Sequence, residues 1–558
     1  MTVAVVLVWL VLTVFVLAGW SRCNDSRAWR LAALGGALVL SLLHQIMFGT
    51  VVEDAYISFR YSLNLAEGNG PVFNPGERVE GYSNFLWTVL VAVPQAVFGR
   101  GLVAGAAVLG VICTLGCVLL AYLLVNRIVR LAGAGRPPRP VLGVLAAVLT
   151  AGASGLAAYG PSGLETPLFL LLVLATCYAV ACGRTVVAGV LVALATMTRP
   201  DGAVVALIVA AFLVVAAVRK RTDWWALIGY LLGGLVLAVP WTAWRVTYYG
   251  HLLPNAVAAK SGGSLGWQLG QGWDYLAGFS LAHLGFLLAG VVAVIVLSRR
   301  RVAEETRQAG AFAWLLLAIA GGYLAFITYA GGDWMPAWRL LAPVPPLIAV
   351  AVLAAYGVLT DPVPVPVPRG NVRRRIAPAV ALALCGVSLL VSTMTPRMLP
   401  SMREWSEQIA EMGEIGSWLG ATLPPGTVFS TYANGVLSYR AGTGLIVVDV
   451  LGLTDEHIAR EGRRDEDSGP IGHIANDYEY VVDVRRPSVA VTTGNGFADR
   501  QQCGIGTAYA DDYAPAPFRR AGRDGGEDWV TLYLRDGQAP ELIEELTADP
   551  RFEHVPCD

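Results

Sequence analysis

Stretches of about 20 consecutive apolar residues, enough to cross a hydrocarbon core of about 30 Å as helix, recur along this chain and limit what it can fold into. The runs at 31–49, 101–125, 140–158, 224–243, 280–298, 310–330, 339–360 and 376–395 each qualify. Residues 2–19 form another, and Arg22, Arg27 and Arg30 follow that run instead of preceding it. This order is the reverse of a cleavable signal, so a retained span with its N-terminus outside is expected. Shorter runs at 166–183, 185–198 and 203–218 are expected as spans packed within a bundle. Of the 558 residues 55% are hydrophobic and 15% charged, against roughly 25% charged in an average soluble domain. The net charge of -1 gives no case for nucleic acid.

The cations fall in short clusters between the runs: Arg127, Arg130, Arg136 and Arg139; Arg219, Lys220 and Arg221; Arg299 to Arg301; and Arg369 with Arg373 to Arg375. All four clusters are expected on the cytoplasmic side, where loops carry excess Lys and Arg. A crossing by residues 84–99 would move the first cluster outside, so that run is expected to lie as a helix on the outer interface. The opposite loops, 50–100, 159–165, 199–202, 245–279 and 331–338, and everything after 396, then face the periplasm or cell exterior. Alternating Pro and Val from Asp361 to Pro368 predict an extended polyproline-II spacer. Past Pro400 the hydropathy drops, and the stretches beginning at Thr427, Leu445, Ser488 and Trp529 read as strands between helical segments 402–420 and 539–547. The expected architecture is a polytopic α-helical membrane protein of about 11–12 spans, with a transmembrane domain over 1–395 and a C-terminal α/β domain over 396–558. Cys113, Cys117, Cys177, Cys182 and Cys385 read as small buried hydrophobes, while Cys503 and Cys557 would be able to pair if the tail lies outside the cytoplasm.

Chemistry concentrates in the outer loops. Glu53 and Asp54 follow directly on a span, with Asp54 the candidate base. In a helix Glu53 and Arg60 would share one face roughly 10 Å apart along the axis, a gap fit for a sugar or phosphate. The bland alternative is that the two acids only complement a helix dipole. Glu80, Tyr82 and Asn84 lie in the turn-rich stretch from Phe73 to Trp87; Glu165 stands at a span entrance; Arg199 and Asp201 share a turn and would neutralise each other if paired. Asn255 and Lys260 follow another span, and Asp333, Trp334 and Arg339 lie beyond yet another, where the cations would otherwise only snorkel. Five loops remote in sequence thus bring acids, cations and amides to one face, the set a polyprenyl-phosphate substrate needs: cations for phosphate and a carboxylate for an acceptor hydroxyl. A transporter would instead place ionisable groups at mid-span and carry repeats, and no repeat is found.

The run from Glu53-Asp-Ala-Tyr-Ile-Ser-Phe-Arg-Tyr through Phe73-Asn-Pro-Gly-Glu-Arg-Val-Glu-Gly-Tyr-Ser-Asn-Phe-Leu-Trp87 resembles the membrane glycosyltransferases of the GT-C fold. Within them it is most similar to the terminal β-(1→2) arabinofuranosyltransferase (AftB-like) family. Gly163-Leu-Glu-Thr, Thr198-Arg-Pro-Asp-Gly, Leu253-Pro-Asn with Lys260, Gly332-Asp-Trp-Met-Pro with Arg339, and Asp449-Val-Leu-Gly-Leu-Thr-Asp455 extend the likeness over most of the chain. The resemblance implies a decaprenylphosphoryl arabinose donor, an arabinan glycan acceptor at arabinogalactan or lipoarabinomannan termini, and membrane lipid around the spans. It also implies a plasma-membrane location and a catalytic carboxylate in the first outer loop. Relatives usually read Asp-Asp where this chain reads Glu53-Asp54, which leaves open which acid works. Arg60, Arg199, Lys260 and Arg339 are the expected donor-phosphate ligands, and Glu80, Tyr82, Asn84, Glu165, Asn255, Asp333 and Trp334 the expected substrate contacts. The C-terminal domain is expected to cap the site and hold the acceptor, with Tyr432, Tyr439 and Trp529 placed to stack on sugars or, as the plainer reading, to fill its core. No metal-ligand set or definite cofactor is implied, a divalent cation stays open, and inverting and retaining chemistry both stay open. The alternatives are a GT-C transferase of another polyprenyl-phosphate sugar, or a non-enzymatic envelope or flagellar-control protein sharing the loop motif.

Overall fold

Each long apolar run folds as helix, because only a helix satisfies its backbone N–H and C=O groups in hydrocarbon without partners. The computed structural model describes residues 1–132, 138–299, 306–360, 373–466, 473–494, 496–522 and 526–557. Among them five helices are long and apolar enough to span: Arg27–Phe48, Leu102–Arg130, Trp224–Tyr249, Arg307–Tyr329 and Pro336–Leu359. Shorter apolar helices include Thr2–Ala18, Phe85–Phe98, Pro140–Ala151, Thr166–Ala181, Thr185–Thr198 and Gly202–Val218. The chain is a multi-pass membrane protein. Arg136, Arg300, Arg301, Arg369 and the Asp361–Pro368 stretch lie outside the described residues.

Two runs depart from expectation. The run at 280–298 is part of a broken pair, Leu265–Ala282 and Leu284–Arg299, bent by 94°. The break falls at buried His283, whose ring stacks on Phe279 at 4.5 Å and meets Trp338 edge-on at 6.0 Å. The run at 140–158 is interrupted at Gly152 and Ala153, where Pro140–Ala151 gives way to a short helix, Ser154–Tyr159.

The described chain divides into two compact units. The first takes residues 1–50, 107–242 and 268–402 and is helical. Val344–Leu359 is buried along nearly its whole length, as a helix apolar on every side must be to sit inside a bundle. Thr185–Thr198 and Trp224–Tyr249 approach through glycines: a Cβ on Gly189 would lie 2.0 Å from the Tyr230 carbonyl oxygen, and one on Gly233 2.2 Å from that of Val186. Small residues at such a crossing let two backbones meet where lipid offers no hydrophobic drive.

The second unit takes residues 51–106, 243–267 and 403–558. Its centre is a sheet of β1 (Val428–Thr431), β2 (Ile446–Asp449), β3 (Val489–Val491), β4 (Tyr513–Ala521), β5 (Glu527–Arg535) and β6 (Glu553–His554). The spatial order is β2-β1-β3-β5-β4-β6; β1 pairs in parallel with β2 and β3, and the remaining pairs are antiparallel. Ile57, Tyr61, Phe73 and Tyr82 from the first segment and Tyr249 and Ala259 from the second share one core with Trp418, Phe429, Val447 and Leu532. This core is therefore built from three stretches far apart in sequence. The sequence reading lacks β4 and the two-residue β6; in β4, Pro515 and Pro517 sit two apart, so both fall on one side of the strand, against Tyr533 and Thr531.

Cys503 and Cys557 form a disulfide across a separation of 54 residues. Removing it frees that much chain in the unfolded state. A Cys503→Ser, Cys557→Ser double variant is expected to lose about 2–4 kcal/mol of unfolding free energy in this unit, read by denaturant titration with and without reductant.

Candidate active site

The peptide after the first long span turns at Glu53 and Asp54 and enters the helix Ala55–Ala66. Glu53 is buried, and its Oε1 accepts a hydrogen bond from the Gly435 N–H at 2.5 Å. Only glycine fits there, since a Cβ on residue 435 would lie 2.3 Å from the Glu53 carbonyl oxygen and 2.4 Å from Oε1. Asp54 is half-buried at the N-cap position of the same helix and shares a side-chain hydrogen bond with Glu53. A third acid, Asp449, closes β2; it is fully buried and accepts from Leu451 N at 3.0 Å, Thr454 N at 2.9 Å and Thr454 Oγ1 at 3.3 Å.

Burial pushes the Glu53 carboxyl up to about 8, and the charges of Asp54 and, more weakly, Asp449 add to it against the opposing Gly435 N–H. Burial likewise raises Asp449, to about 6, against the N–H groups of Thr454 and Leu451. Glu53 is thus held toward its protonated form, in which it accepts from Gly435 and donates to Asp54, the more open of the two carboxyls. Stability follows from the sign of this shift. Between its ordinary 4.5 and about 8 the folded chain holds a Glu53 proton that the unfolded chain has released, so stability falls as pH rises through that window. Thermal melts of the wild type across the window are expected to show this decline, and Glu53→Gln, which cannot ionise, is expected to flatten it.

Arg60 is a correction. It is fully buried, and its guanidinium donates to the carbonyls of Phe73, Ser438, Gly442 and Leu445 and to Asn74 Oδ1. Five contacts exhaust its five N–H donors, so it ties the first loop to the C-terminal sheet and has none left for a phosphate. Asn74 joins the same seam, bonded both ways to the backbone of Val447 at 2.8 and 3.0 Å.

The expected substrate contacts of this unit are also spent on the fold. Glu80 is held by both arms of Arg245 at 2.6 and 2.8 Å, with both side chains buried. Tyr82 bonds Tyr249 through the two hydroxyls, and Asn84 is buried against Ser58 and Thr88. Asn255 donates to the carbonyls of Gly452, Leu453 and Asp455. Lys260 stays partly exposed. Arg245 escaped notice because, at the end of an apolar run, it looks like any snorkelling cation. Of the aromatics proposed to stack on sugars, Trp529 is buried and Tyr439 packs between Tyr56 and Phe59, while Tyr432 is half-exposed.

In the helical unit Arg199 and Asp201 form a two-armed pair at 3.0 and 2.7 Å, with the guanidinium over the Phe169 ring. Glu165 is buried at the start of Thr166–Ala181. Asp333 pairs with Arg339 at 2.8 Å, so Arg199 and Arg339 each already carry a neutralising carboxylate. Trp334 is half-exposed. Just beyond it Ala337 and Trp338 hold left-handed backbone at φ 56° and 48°, strain of order 1–3 kcal/mol per residue that the surroundings must enforce. Arg397, also missed from sequence, does so: it donates to the Asp333 carbonyl at 2.7 Å and lies over the rings of Tyr275 and Trp338. Among the described residues no three His, Cys, Asp or Glu side chains stand close enough together to hold a metal ion.

Residues 401–533 match a family described as a domain of unknown function, DUF8728. The chain is 29% identical over 338 residues to the terminal β-(1→2)-arabinofuranosyltransferase of Mycobacterium tuberculosis, covering 54% of this chain and 51% of that protein. To the enzyme of the same name from Corynebacterium glutamicum it is 27% identical over 334 residues, covering 52% and 46%. The chain therefore spans about half the length of the curated relatives it matches. ArnT from Cupriavidus metallidurans, solved bound to undecaprenyl phosphate, superposes with a TM-score of 0.53 at 13% identity, over 91% of this chain and 98% of that one. The fold is GT-C.

Proposed function

We propose that this chain is a membrane glycosyltransferase that moves arabinofuranose from decaprenylphosphoryl arabinose to a hydroxyl of cell-envelope arabinan, with Asp54 as general base or electrostatic stabiliser. The observation that carries the reading is the acid pair: Glu53, buried under the Gly435 N–H with its carboxyl pushed up by burial, beside a more open Asp54. Two carboxyls whose environments push them apart are the usual basis of divided acid and base roles. The relatives' names supply the sugar, and the ligand of ArnT supplies the class of carrier lipid. With Arg60 committed to the fold, Lys260 and the paired Arg199 and Arg339 are the cations proposed for the donor phosphate, and Glu165, Asp333 and Trp334 remain the proposed substrate contacts.

The site loops and the C-terminal residues are proposed to lie on the periplasmic face of the plasma membrane. A Cys503–Cys557 disulfide persists in an oxidising compartment, and the basic clusters sit in the other loops. The C-terminal α/β region is proposed to hold the acceptor, with Tyr432 the aromatic still placed to meet a sugar. Incubating the purified chain with radiolabelled decaprenylphosphoryl arabinose and an arabinan acceptor tests the reading, and transfer of label to the glycan is expected. Transfer from another polyprenyl-phosphate sugar alone would keep the chemistry and overturn the arabinose assignment, hydrolysis of the arabinose donor without transfer to the glycan would overturn the acceptor, and no turnover with any donor would overturn the enzyme.

A further inference from the structure

The helical unit contains a cavity of about 1470 Å³. Arg127, Arg219, Lys220, Arg221 and Arg307 stand among its lining residues, and among the described residues no Asp or Glu does. Behind the cations the wall is apolar and follows two helices. On Gly202–Val218 and its C-cap it uses Ile208, Ala211, Val215 and Arg219; on Arg307–Tyr329 it uses Arg307, Ala311, Trp314 and Ala318. These steps of three and four trace a lane along each helix, flanked by further lining residues such as Phe212 and Ala216 on the first and Phe312 and Leu315 on the second. Both lanes run eleven residues from cation to innermost lining residue, about 16 Å at 1.5 Å per residue. That is the depth of one leaflet, half of a core of about 30 Å.

A second feature fixes the level of the mouth. Trp224 and Trp225, directly after the Arg219–Arg221 run, are 52% and 77% exposed, as aromatics are where headgroups meet hydrocarbon. A preference for cations in cytoplasmic loops accounts for charge at this end; it does not account for an apolar void behind the charge, larger than the roughly 300–1,000 Å³ of ordinary small-molecule sites. Lys220 also holds left-handed backbone at φ 52°, unusual for a residue with a side chain.

We infer that this cavity seats an anionic phospholipid of the leaflet on the basic-loop side, its phosphate among Arg219, Lys220 and Arg307 and an acyl chain in the lane between the two helices. Basic pockets between transmembrane helices hold acidic lipid headgroups in this way. A soluble phosphate would leave the apolar lane unfilled, and a polyprenyl chain would overrun a lane one leaflet deep. The inference is independent of the transfer reaction proposed above.

Native mass spectrometry of the full chain in detergent, titrated separately with phosphatidylglycerol, phosphatidylcholine, decaprenyl phosphate and inorganic phosphate, tests it. Phosphatidylglycerol is expected to bind most tightly. An Arg219→Gln, Lys220→Asn variant, both positions exposed and Asn suited to left-handed backbone, is expected to weaken it roughly 30-fold. Ala211→Trp, which fills the lane and leaves the cations, is expected to weaken it as well; if that variant fails to fold, the charge variant decides. Equal binding of phosphatidylcholine, preference for decaprenyl phosphate or inorganic phosphate, or full retention in the charge variant would overturn the assignment.

Discussion

An Asp54→Asn chain is expected to fold normally and to lose sugar transfer by a factor of about 100 to 10,000, roughly 3 to 5 kcal/mol of barrier. The amide keeps the size of the side chain and can still bond Glu53, while the negative charge proposed to act on the acceptor hydroxyl is gone. Glu53→Gln is expected to be mild near pH 7. Burial already holds Glu53 toward its neutral form there, and a glutamine can accept from the Gly435 N–H and donate to Asp54 as the protonated acid does. The pair separates further above pH 8: ionising Glu53 removes the donor to Asp54 in the wild type and changes nothing in the Glu53→Gln chain. Transfer rates and donor affinity for both variants across pH check this. Collapse of Glu53→Gln with survival of Asp54→Asn would hand the role to Glu53, and survival of both would remove the loop from the chemistry.

The second large effect concerns stability. Glu80→Leu leaves Arg245 buried with its carboxylate gone, since the pair is 5% and 7% exposed. Stranding a buried charge typically costs about 3–5 kcal/mol. Arg245→Met should cost a similar amount by stranding Glu80, whose carboxyl burial already pushes up against the pull of Arg245. A Glu80→Leu, Arg245→Met double variant should recover most of the loss, because two apolar side chains need no partner. Denaturant melts of the four chains form a double-mutant cycle; additive losses would show that the two residues act separately.

Hydropathy made the membrane class and most helix positions legible, because spanning length and backbone satisfaction leave little choice. It could not show the break at His283, which depends on Phe279 and Trp338 packing around one ring. β4 was hidden for a local reason: Pro515 and Pro517 argue against a strand until the side they occupy is known. For the site, residue type was readable and residue state was not. Glu53 and Asp54 are neighbours that differ because Gly435, 382 residues further on, closes over one of them. Arg60 read as a phosphate ligand because carbonyl acceptors leave no mark in a sequence. Glu80, Tyr82, Asn84 and Asn255 were marked as polar groups worth explaining, and the explanation is a seam of buried hydrogen bonds.

The partners of Arg60 also set a timetable for the chain's synthesis. The carbonyls of Ser438, Gly442 and Leu445 lie 378, 382 and 385 residues downstream of the guanidinium that needs them. At roughly 5–20 residues per second, the ribosome delivers them about 20 to 80 seconds later. Through that interval the first loop carries a cation and the apolar face of Ile57, Tyr61 and Phe73 without the sheet that covers them. A nascent chain that stalls before the sheet is made therefore displays the same unsheltered surface for as long as it persists.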